Sequence, residues 1–280
     1  MDVGTTDTEA RSLVHWAESG RLGMEAFYAL AIEDYRQMVA ARDWAADLRR
    51  HARDDAEVRV LDVACGSGKF PAELVRRGLA GRVDGRSVGV DLLDPSAFSI
   101  SEARSVLGPP FVVRGEHEVR LQDLHPSVDG FDVAWATHAL YAIPAGQLDA
   151  ALARMVAALR PGGFGAVVQA TTASHYLRFA GLFRDSFSPA STPFSTAEQV
   201  ADALGRAGVE PRVEPIEYTV ASDDRATVEG FLQRCVFEDS VPLAAMEADP
   251  AVGAYLTGCR TDGGYRFTQH VHVITWEVAP

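Results

Sequence analysis

The chain has 280 residues, of which 47% are hydrophobic and 23% charged, a composition that suits one large globular domain or two small ones. Its formal net charge of −13 disfavours a nucleic-acid partner, because such a surface repels a phosphate backbone. The three cysteines lack CxxC spacing, so neither a disulfide framework nor a structural zinc site is expected.

The N-terminal segment is polar and acidic, unlike a signal peptide. No apolar run approaches the roughly 20 residues of a membrane helix. We therefore expect a cytoplasmic protein with no membrane partner.

Helical spacing of apolar residues predicts helices over residues 9–52. From Val58 onward, short β runs alternate with helix-length amphipathic segments. These runs lie at 58–64, 87–91, 111–113, 131–136 and 164–170. Such alternation predicts an α/β fold with a parallel sheet covered by helices on both faces.

The C-terminal third has a different pattern. Helices are predicted at 174–187 and 196–207, a strand near 214–220, helices within 224–258 and a long β run at 265–278. We expect an N-terminal helical cap (1–55) and a main domain (56–280), with helical insertions around 171–195 and 224–258.

The segment VLDVACGSGKF (60–70) places Asp62 at the end of a buried strand, then Gly66 and Gly68 in a turn, then a helix. Glycine lets the backbone approach a ligand closely, and the helix N-terminus presents free N–H groups. A dinucleotide fingerprint would need a third small residue where Pro71 stands, and it has no role for a carboxylate before the glycines. Asp62 is instead well placed to receive, directly or through water, the ammonium of a bound amino acid.

A second carboxylate, Asp91, ends the next β run, where it can accept both hydroxyls of a ribose. Its structural alternative is a helix N-cap, a role that Asp94 or Ser96 could also fill. The fourth run leads into Thr137 and His138.

Over roughly residues 56–170, these motifs resemble, in order and spacing, the class I S-adenosylmethionine-dependent methyltransferases. The resemblance implies a Rossmann-like sheet, mostly parallel with an antiparallel last strand. It also implies S-adenosyl-L-methionine as cofactor and S-adenosyl-L-homocysteine as product. By this resemblance, Asp62, Gly66 and Gly68 hold the methionine end, Asp91 the ribose and the backbone of Thr137 the amino group. Ala64 and Leu92 also fall at the expected cofactor site.

The adenine contact has two possible registers. If residues 111–113 are the third strand, Glu116 and His117 lie beside adenine. If the strand is instead 118–121, Gln122 and Asp123 take that place. We favour the first register, because the loop then leads directly into the fourth strand.

The C-terminal layout resembles the histamine N-methyltransferase family and its small-molecule relatives in residues 140–143, the helix from Ser174, residues 228–239 and the last strand. Ala142, His175 and Phe179 differ from the aromatic residues that line that family's pocket. We therefore expect the pocket at the same place but do not expect histamine as the substrate. By this resemblance the pocket walls are Tyr28, Glu33, His138, Tyr141, His175, Phe179 and Gln269. For Tyr28, a position in the hydrophobic core is as strongly expected as a position in the pocket wall. For Glu33, the alternative is a solvent-exposed position on its helix.

His138 follows the fourth strand near the expected methyl group and is the candidate catalytic residue. We expect methyl transfer to a small molecule, at an amine or imidazole nitrogen. The alternative is an O-methyltransferase that acts on a hydroxyl or carboxylate with His138 as general base. No metal is expected, because His270 and His272 share one face of the last strand without a third ligand.

Overall fold

A computed structural model describes residues 7–53, 57–125 and 129–280. The boundary predicted between residues 55 and 56 lies outside the described residues. The strands are β1 (Glu57–Val63), β2 (Ser87–Leu93), β3 (Phe111–His117), β4 (Phe131–Thr137), β5 (Leu159–Ala170), β6 (Arg212–Ser222) and β7 (Tyr265–Glu277). The helices are α1 (Asp7–His15), α2 (Arg21–Ala41), α3 (Trp44–His51), α4 (Lys69–Arg76), α5 (Ala97–Val106), α6 (Ala145–Ala157), α7 (His175–Phe187), α8 (Ala197–Arg206), α9 (Arg225–Cys235), α10 (Leu243–Ala248) and α11 (Pro250–Gly258).

The seven strands form one sheet in the order β3-β2-β1-β4-β5-β7-β6. The first five pair in parallel, while β7 runs antiparallel to both β5 and β6. The predicted mostly parallel sheet with an antiparallel last strand is confirmed. Because β1 lies between β2 and β4, the chain reverses its direction of travel across the sheet at β1. Such a switch point opens a crevice at the carboxyl ends of the strands.

Buried side chains form two clusters, one on each face of the sheet. Alternate residues of β1 belong to different clusters, with Val60 in the larger and Leu61 in the smaller. The smaller cluster packs α6 and α8 against the sheet through Leu152 and Leu204. The larger one joins α2, α3, α4, α7 and α9 to the opposite face. The helices at the N-terminus and after β6 therefore share one side of the sheet.

Several strands extend further than their sequence pattern predicts, β2 and β5 among them. β2 continues to Leu93, so its tip lies beyond Asp91 and Asp94 follows immediately. β5 begins at Leu159, whereas the run predicted from the sequence begins at residue 164. Gly162 has φ +72°, and its left-handed conformation accommodates a register shift while pairing continues on both sides.

Within the part of the chain that the structure describes, no helix combines the length and the apolar character needed to cross a membrane.

The pairing of β5 with β7 makes a prediction about stability. Gly165 lies opposite Trp276, and an added Cβ would overlap the indole ring. We expect Gly165→Ala to lower the free energy of unfolding by roughly 1–3 kcal/mol, because the buried ring has to shift. Urea denaturation measures this change.

Gly205→Ala is the matched control, because a Cβ at this helical position meets no atom within 4 Å. Helix propensity predicts that it leaves stability unchanged or raises it by up to about 1 kcal/mol. Equal effects of the two substitutions would contradict the close contact with Trp276.

Candidate active site

A cavity lies at the carboxyl ends of β1, β2 and β4, at the switch point of the sheet. Its empty volume is about 1470 Å³, including its open mouth. The β1–α4 loop and the ends of the strands border it on one side, and side chains of α1, α2 and α9 border it on the other.

The β1–α4 loop turns sharply through left-handed backbone conformations at Ala64 (φ 49°), Gly66 (φ 51°) and Gly68 (φ 68°). A Cβ on Gly68 would lie 2.9 Å from Cα of Ala103, so this glycine lets α5 pack against the turn. A Cβ on Gly66 would meet no atom within 4 Å, and Gly66 borders the cavity together with Ala64. The loop therefore leaves space for a ligand close to its backbone.

Asp62 lies where β1 meets this loop and borders the cavity. The residue is only 2% exposed, and its Oδ2 atom has no hydrogen-bond partner in the described structure. Burial raises the pKa of this carboxyl to about 7. A ligand ammonium would supply both the missing partner and a compensating charge. The amino group of S-adenosylmethionine fits this requirement.

Asp94, and not Asp91, borders the cavity after β2. The Asp94 carboxylate accepts hydrogen bonds from the backbone N–H groups of Gly66 (3.1 Å) and Ser96 (2.9 Å), which orient it beside the glycine turn. Asp91 instead lies 2.9 Å from Nε2 of His117, through Oδ2. The expected cavity position of Asp91 is therefore not found, because β2 continues past this residue.

The predicted adenine contacts also shift along the chain. β3 ends at His117, so the favoured assignment of residues 111–113 to this strand agrees with the structure. Neither Glu116 nor His117 borders the cavity, since Glu116 pairs with Arg104 and His117 with Asp91. The wall is formed instead by the following turn, through Arg120, Leu121 and Gln122. Asp123 pairs with Arg120 at 2.6 Å.

Leu92 is another predicted cofactor contact that the structure does not bring to the cavity. Its side chain is fully buried in the larger core cluster, and Leu93 borders the cavity instead. Thr137, at the end of β4, does border it.

The opposite end of the cavity surrounds His138 and Tyr141, which follow β4. His138 has φ 51°, an unusual left-handed conformation for a residue other than glycine. Its Nδ1 atom is hydrogen-bonded to the hydroxyl of Tyr141, and its Nε2 atom lies 3.4 Å from Oη of Tyr218. Burial lowers the pKa of His138 to about 3, so the imidazole is neutral near pH 7.

Asp34 of α2 borders the same end of the cavity and is 2% exposed. The Tyr176 hydroxyl donates to Oδ2 of Asp34 at 2.6 Å, while Nε2 of His138 lies 3.9 Å from that oxygen. Burial raises the pKa of Asp34 to about 7, and hydrogen bonds from Tyr176 and Tyr218 offset only part of this effect. Asp34 was not among the site residues predicted from the sequence. Its signal was a carboxylate on the apolar face of α2, at helical spacing from Phe27 and Ala31.

Tyr28 is a predicted wall residue that does border the cavity. Its hydroxyl accepts a hydrogen bond from Oγ of Ser67 at 3.1 Å. The ammonium of Lys69, the single lysine of the chain, lies 4.8 Å from the centre of its ring. Tyr28 thus joins α2 to the glycine turn.

Four other predicted wall residues do not border the cavity: Glu33, His175, Phe179 and Gln269. Glu33 lies one position from Asp34, and the helical rotation directs it to Gln37, which donates at 2.6 Å. His175 packs 4.2 Å from Phe267, with Phe179 beside it at 5.5 Å between ring centres. Gln269 is fully buried and accepts from Ser174 at 2.5 Å. The last three residues thus belong to the packing of α7 against β7.

Helix α1 and the segment after it cover the mouth of the cavity. The Trp16 side chain borders the cavity, and its carbonyl accepts a hydrogen bond from Oγ of Ser96 at 3.2 Å. Arg234 of α9 is 1% exposed and donates to the carbonyls of His15 (2.6 Å) and Gly20 (3.0 Å). The cover is therefore tied both to the cofactor side of the cavity and to α9.

Comparison with known proteins agrees with this architecture. A family model described as a methyltransferase domain matches residues 60–163. No curated protein matches the chain. A Bacillus halodurans protein named as a candidate methyltransferase is 14% identical, with 85% of this chain and 99% of that chain covered and a TM-score of 0.57.

Two further solved structures contain a cofactor product. Magnesium protoporphyrin IX methyltransferase from Synechocystis PCC 6803, with bound S-adenosylhomocysteine, is 12% identical, covers 95% of this chain and 99% of its own, and has a TM-score of 0.54. Phosphoethanolamine N-methyltransferase 2 from Haemonchus contortus, in complex with phosphomonomethylethanolamine and S-adenosylhomocysteine, is 14% identical, with 99% of this chain and 61% of that chain covered and a TM-score of 0.52. At these identities the similarity is one of fold.

The matched domain contains the second half of β1, the glycine turn and the strand ends that border the cavity. The sheet order and the antiparallel β7 agree with the same fold. Residues 60–163 therefore match a methyltransferase domain, and the sheet has the fold of the class I S-adenosylmethionine-dependent methyltransferases.

Proposed function

We propose that this enzyme methylates an amine or imidazole nitrogen of a small molecule. The observation that carries the proposal is the single cavity that joins the glycine turn to a chamber bordered by His138, Tyr141 and Asp34. A cofactor at the turn and an acceptor in the chamber would therefore meet without crossing solvent. S-adenosylmethionine supplies a methyl group on a sulfonium, which a nucleophile displaces in line.

Within the cofactor half, we assign the ammonium to Asp62 and the methionine backbone to the turn at Gly66. We assign the ribose to Asp94 in place of Asp91, because Asp94 borders the cavity and is oriented by two backbone N–H groups. Adenine is assigned to the turn at Leu121 and Gln122. The backbone of Thr137 remains the proposed second contact of the amino group.

The basicity of His138 favours nitrogen over oxygen as the methylated atom. With its pKa lowered to about 3 by burial, this imidazole holds a proton too weakly to take one from a hydroxyl. A neutral amine or imidazole already has a free lone pair. Holding that lone pair in line with the methyl group supplies up to roughly 7–11 kcal/mol in favourable cases.

The cover favours a small acceptor. Helices α1, α2 and α9 border the cavity above the strand ends, so an extended polypeptide would meet packed side chains. The Haemonchus contortus enzyme, which has a similar fold, was solved with a small amine. We propose that residues 1–55 act as a cap, helped by the insertion around 171–195, and exclude water during the reaction.

The assignment of the ribose to Asp94 can be tested by isothermal titration with S-adenosylmethionine and S-adenosylhomocysteine. We expect Asp94→Asn to weaken both by about 10–100-fold, because hydrogen bonds to a charged group contribute ~1.5–3 kcal/mol. Asp91→Asn is the matched control and should change affinity by less than about 3-fold, because Asp91 is paired with His117 outside the cavity. If Asp91→Asn weakened binding more than Asp94→Asn, the ribose contact would be assigned to Asp91.

The choice of nitrogen can be tested by measuring S-adenosylhomocysteine formation with small amines, imidazoles and the alcohols and carboxylic acids of matching shape. We expect turnover with nitrogen acceptors only. His138→Asn, which keeps a residue that tolerates positive φ, should retain N-methylation within about 10-fold, less than the ~10²–10⁴-fold contribution of a general base. Turnover of alcohols alone, abolished by His138→Asn, would establish the O-methyltransferase alternative.

A further inference from the structure

Asp34 is a buried carboxylate to which the proposed methyl transfer assigns no role. In the described chain, the basic side chain paired with it is His138, at 3.9 Å from Oδ2, and burial keeps that imidazole neutral. Burying a carboxylate is unfavourable unless hydrogen bonds or an opposite charge compensate it. The protein itself therefore supplies only part of what this group requires.

The two oxygens of Asp34 have different surroundings. Oδ2 accepts from the hydroxyl of Tyr176 at 2.6 Å. Oδ1 is buried without a hydrogen bond of normal geometry, although the residue borders the cavity and the nearby Tyr218 hydroxyl lowers the pKa of the carboxyl. One oxygen is thus held by the protein, and the other remains available to a ligand that donates a hydrogen bond.

The other groups that face Asp34 are neutral and mostly aromatic. They are Tyr35 on its own helix, His138 and Tyr141 after β4, Tyr176 on α7, Tyr218 on β6 and Cys235 on α9. The nearby charged group is Glu33, whose negative charge raises the pKa of Asp34 slightly. A carboxylate among ring faces attracts a cation, both by its charge and by cation–π interaction.

We propose that Asp34 binds the ammonium group of the acceptor and accepts its proton before methyl transfer. The inference rests on the proposed N-methylation and names the substrate class as amines that are protonated in solution. An ammonium has no lone pair, so it cannot attack the methyl group until a base removes one proton.

Proton transfer to Asp34 precedes the displacement, and both steps conserve atoms and charge. One N–H bond of the ammonium breaks and an O–H bond forms at Oδ1 of Asp34, which leaves a neutral amine. The amine lone pair forms the new N–C bond while the C–S bond breaks and its electron pair stays on sulfur. The products are a methylated ammonium and S-adenosylhomocysteine. Asp34 returns its proton to solvent when the products leave.

Tyr176 and His138 are positioning residues in this scheme. If Tyr141 donates to Nδ1 of His138, the imidazole carries its proton on Nε2, which faces Oδ2 of Asp34 and Oη of Tyr218. The hydrogen bond from Tyr176 orients the carboxylate, and the imidazole lies 3.9 Å from the same oxygen. Both contacts leave Oδ1 for the acceptor.

The test uses trimethylammonium probes of increasing size, from choline to benzyltrimethylammonium, and 3,3-dimethylbutan-1-ol as the neutral counterpart of choline. Affinity is measured by isothermal titration to the protein loaded with S-adenosylhomocysteine. A permanent cation binds only ionised Asp34, so lowering the pH from 8 to 5.5 should weaken binding by about 30-fold for a pKa of about 7. Asp34→Asn should remove this pH dependence and the preference for the cation.

Glu33→Gln removes the neighbouring charge outside the cavity and is the matched control, for which the pH profile should persist. Tyr176→Phe provides a second variant: loss of its hydrogen bond should raise the pH midpoint of cation binding, which a purely structural role would not do. A wild type that binds no cation in preference to the neutral probe overturns the inference, as does an unchanged profile in Asp34→Asn.

The same variants separate this inference from the proposed N-methylation. If the wild type methylates amines and Asp34→Asn does so equally well across pH 6–8, only the role of Asp34 fails. If the wild type binds S-adenosylhomocysteine but methylates alcohols and no amine, the proposed nitrogen acceptor fails first.

Discussion

The cost of burying negative charge is the constraint on which this site depends. Asp34, Asp62 and Asp94 all border one cavity, and burial raises the pKa of each carboxyl. Asp94 is compensated by backbone N–H groups of the protein, whereas Asp34 and Asp62 each keep an oxygen without a partner. The two uncompensated carboxylates define where positive charge is favourable, one at each proposed ligand.

The topology of the sheet brings these groups together. Asp62 lies near the end of β1 and Asp94 follows β2, while His138 follows β4 on the other side of β1. Asp34 comes from outside the sheet, on α2, and is held by Tyr176 of α7. The acceptor half therefore requires the N-terminal helices and the segment after β5 to pack on the same side of the sheet. The sheet carries the cofactor half, and elements added to it carry the acceptor half.

The fold and the glycine turn could be predicted from the sequence, because apolar alternation and the spacing of Asp62, Gly66 and Gly68 are local signals. The position of the second carboxylate could not. Whether Asp91 or Asp94 stands at the strand tip depends on how far β2 keeps pairing with its neighbours, and the run LLD gives no local stop signal.

The wall residues show a different difficulty. The family resemblance predicted that Glu33 is the carboxylate of the pocket wall. Adjacent residues on a helix point about 100° apart, and it is the neighbouring side chain, Asp34, that reaches the cavity. His175 and Phe179 lie on the correct helix, α7, yet their side chains pack against Phe267 and Phe183. Only tertiary packing decides which face of α7 meets the cavity, and Tyr176 is the residue on that face.

Arg234 gives the cover an additional property. Its guanidinium is buried, and two of its nitrogens donate hydrogen bonds to the carbonyls of His15 at the end of α1 and Gly20 before α2. Lifting the cover would separate a desolvated cation from both acceptors at once, so we expect partial opening to gain little and the segment to move as a unit. Cofactor and acceptor would then exchange through one shared, slow event, and a single turnover could be fast in an enzyme whose steady-state rate is low.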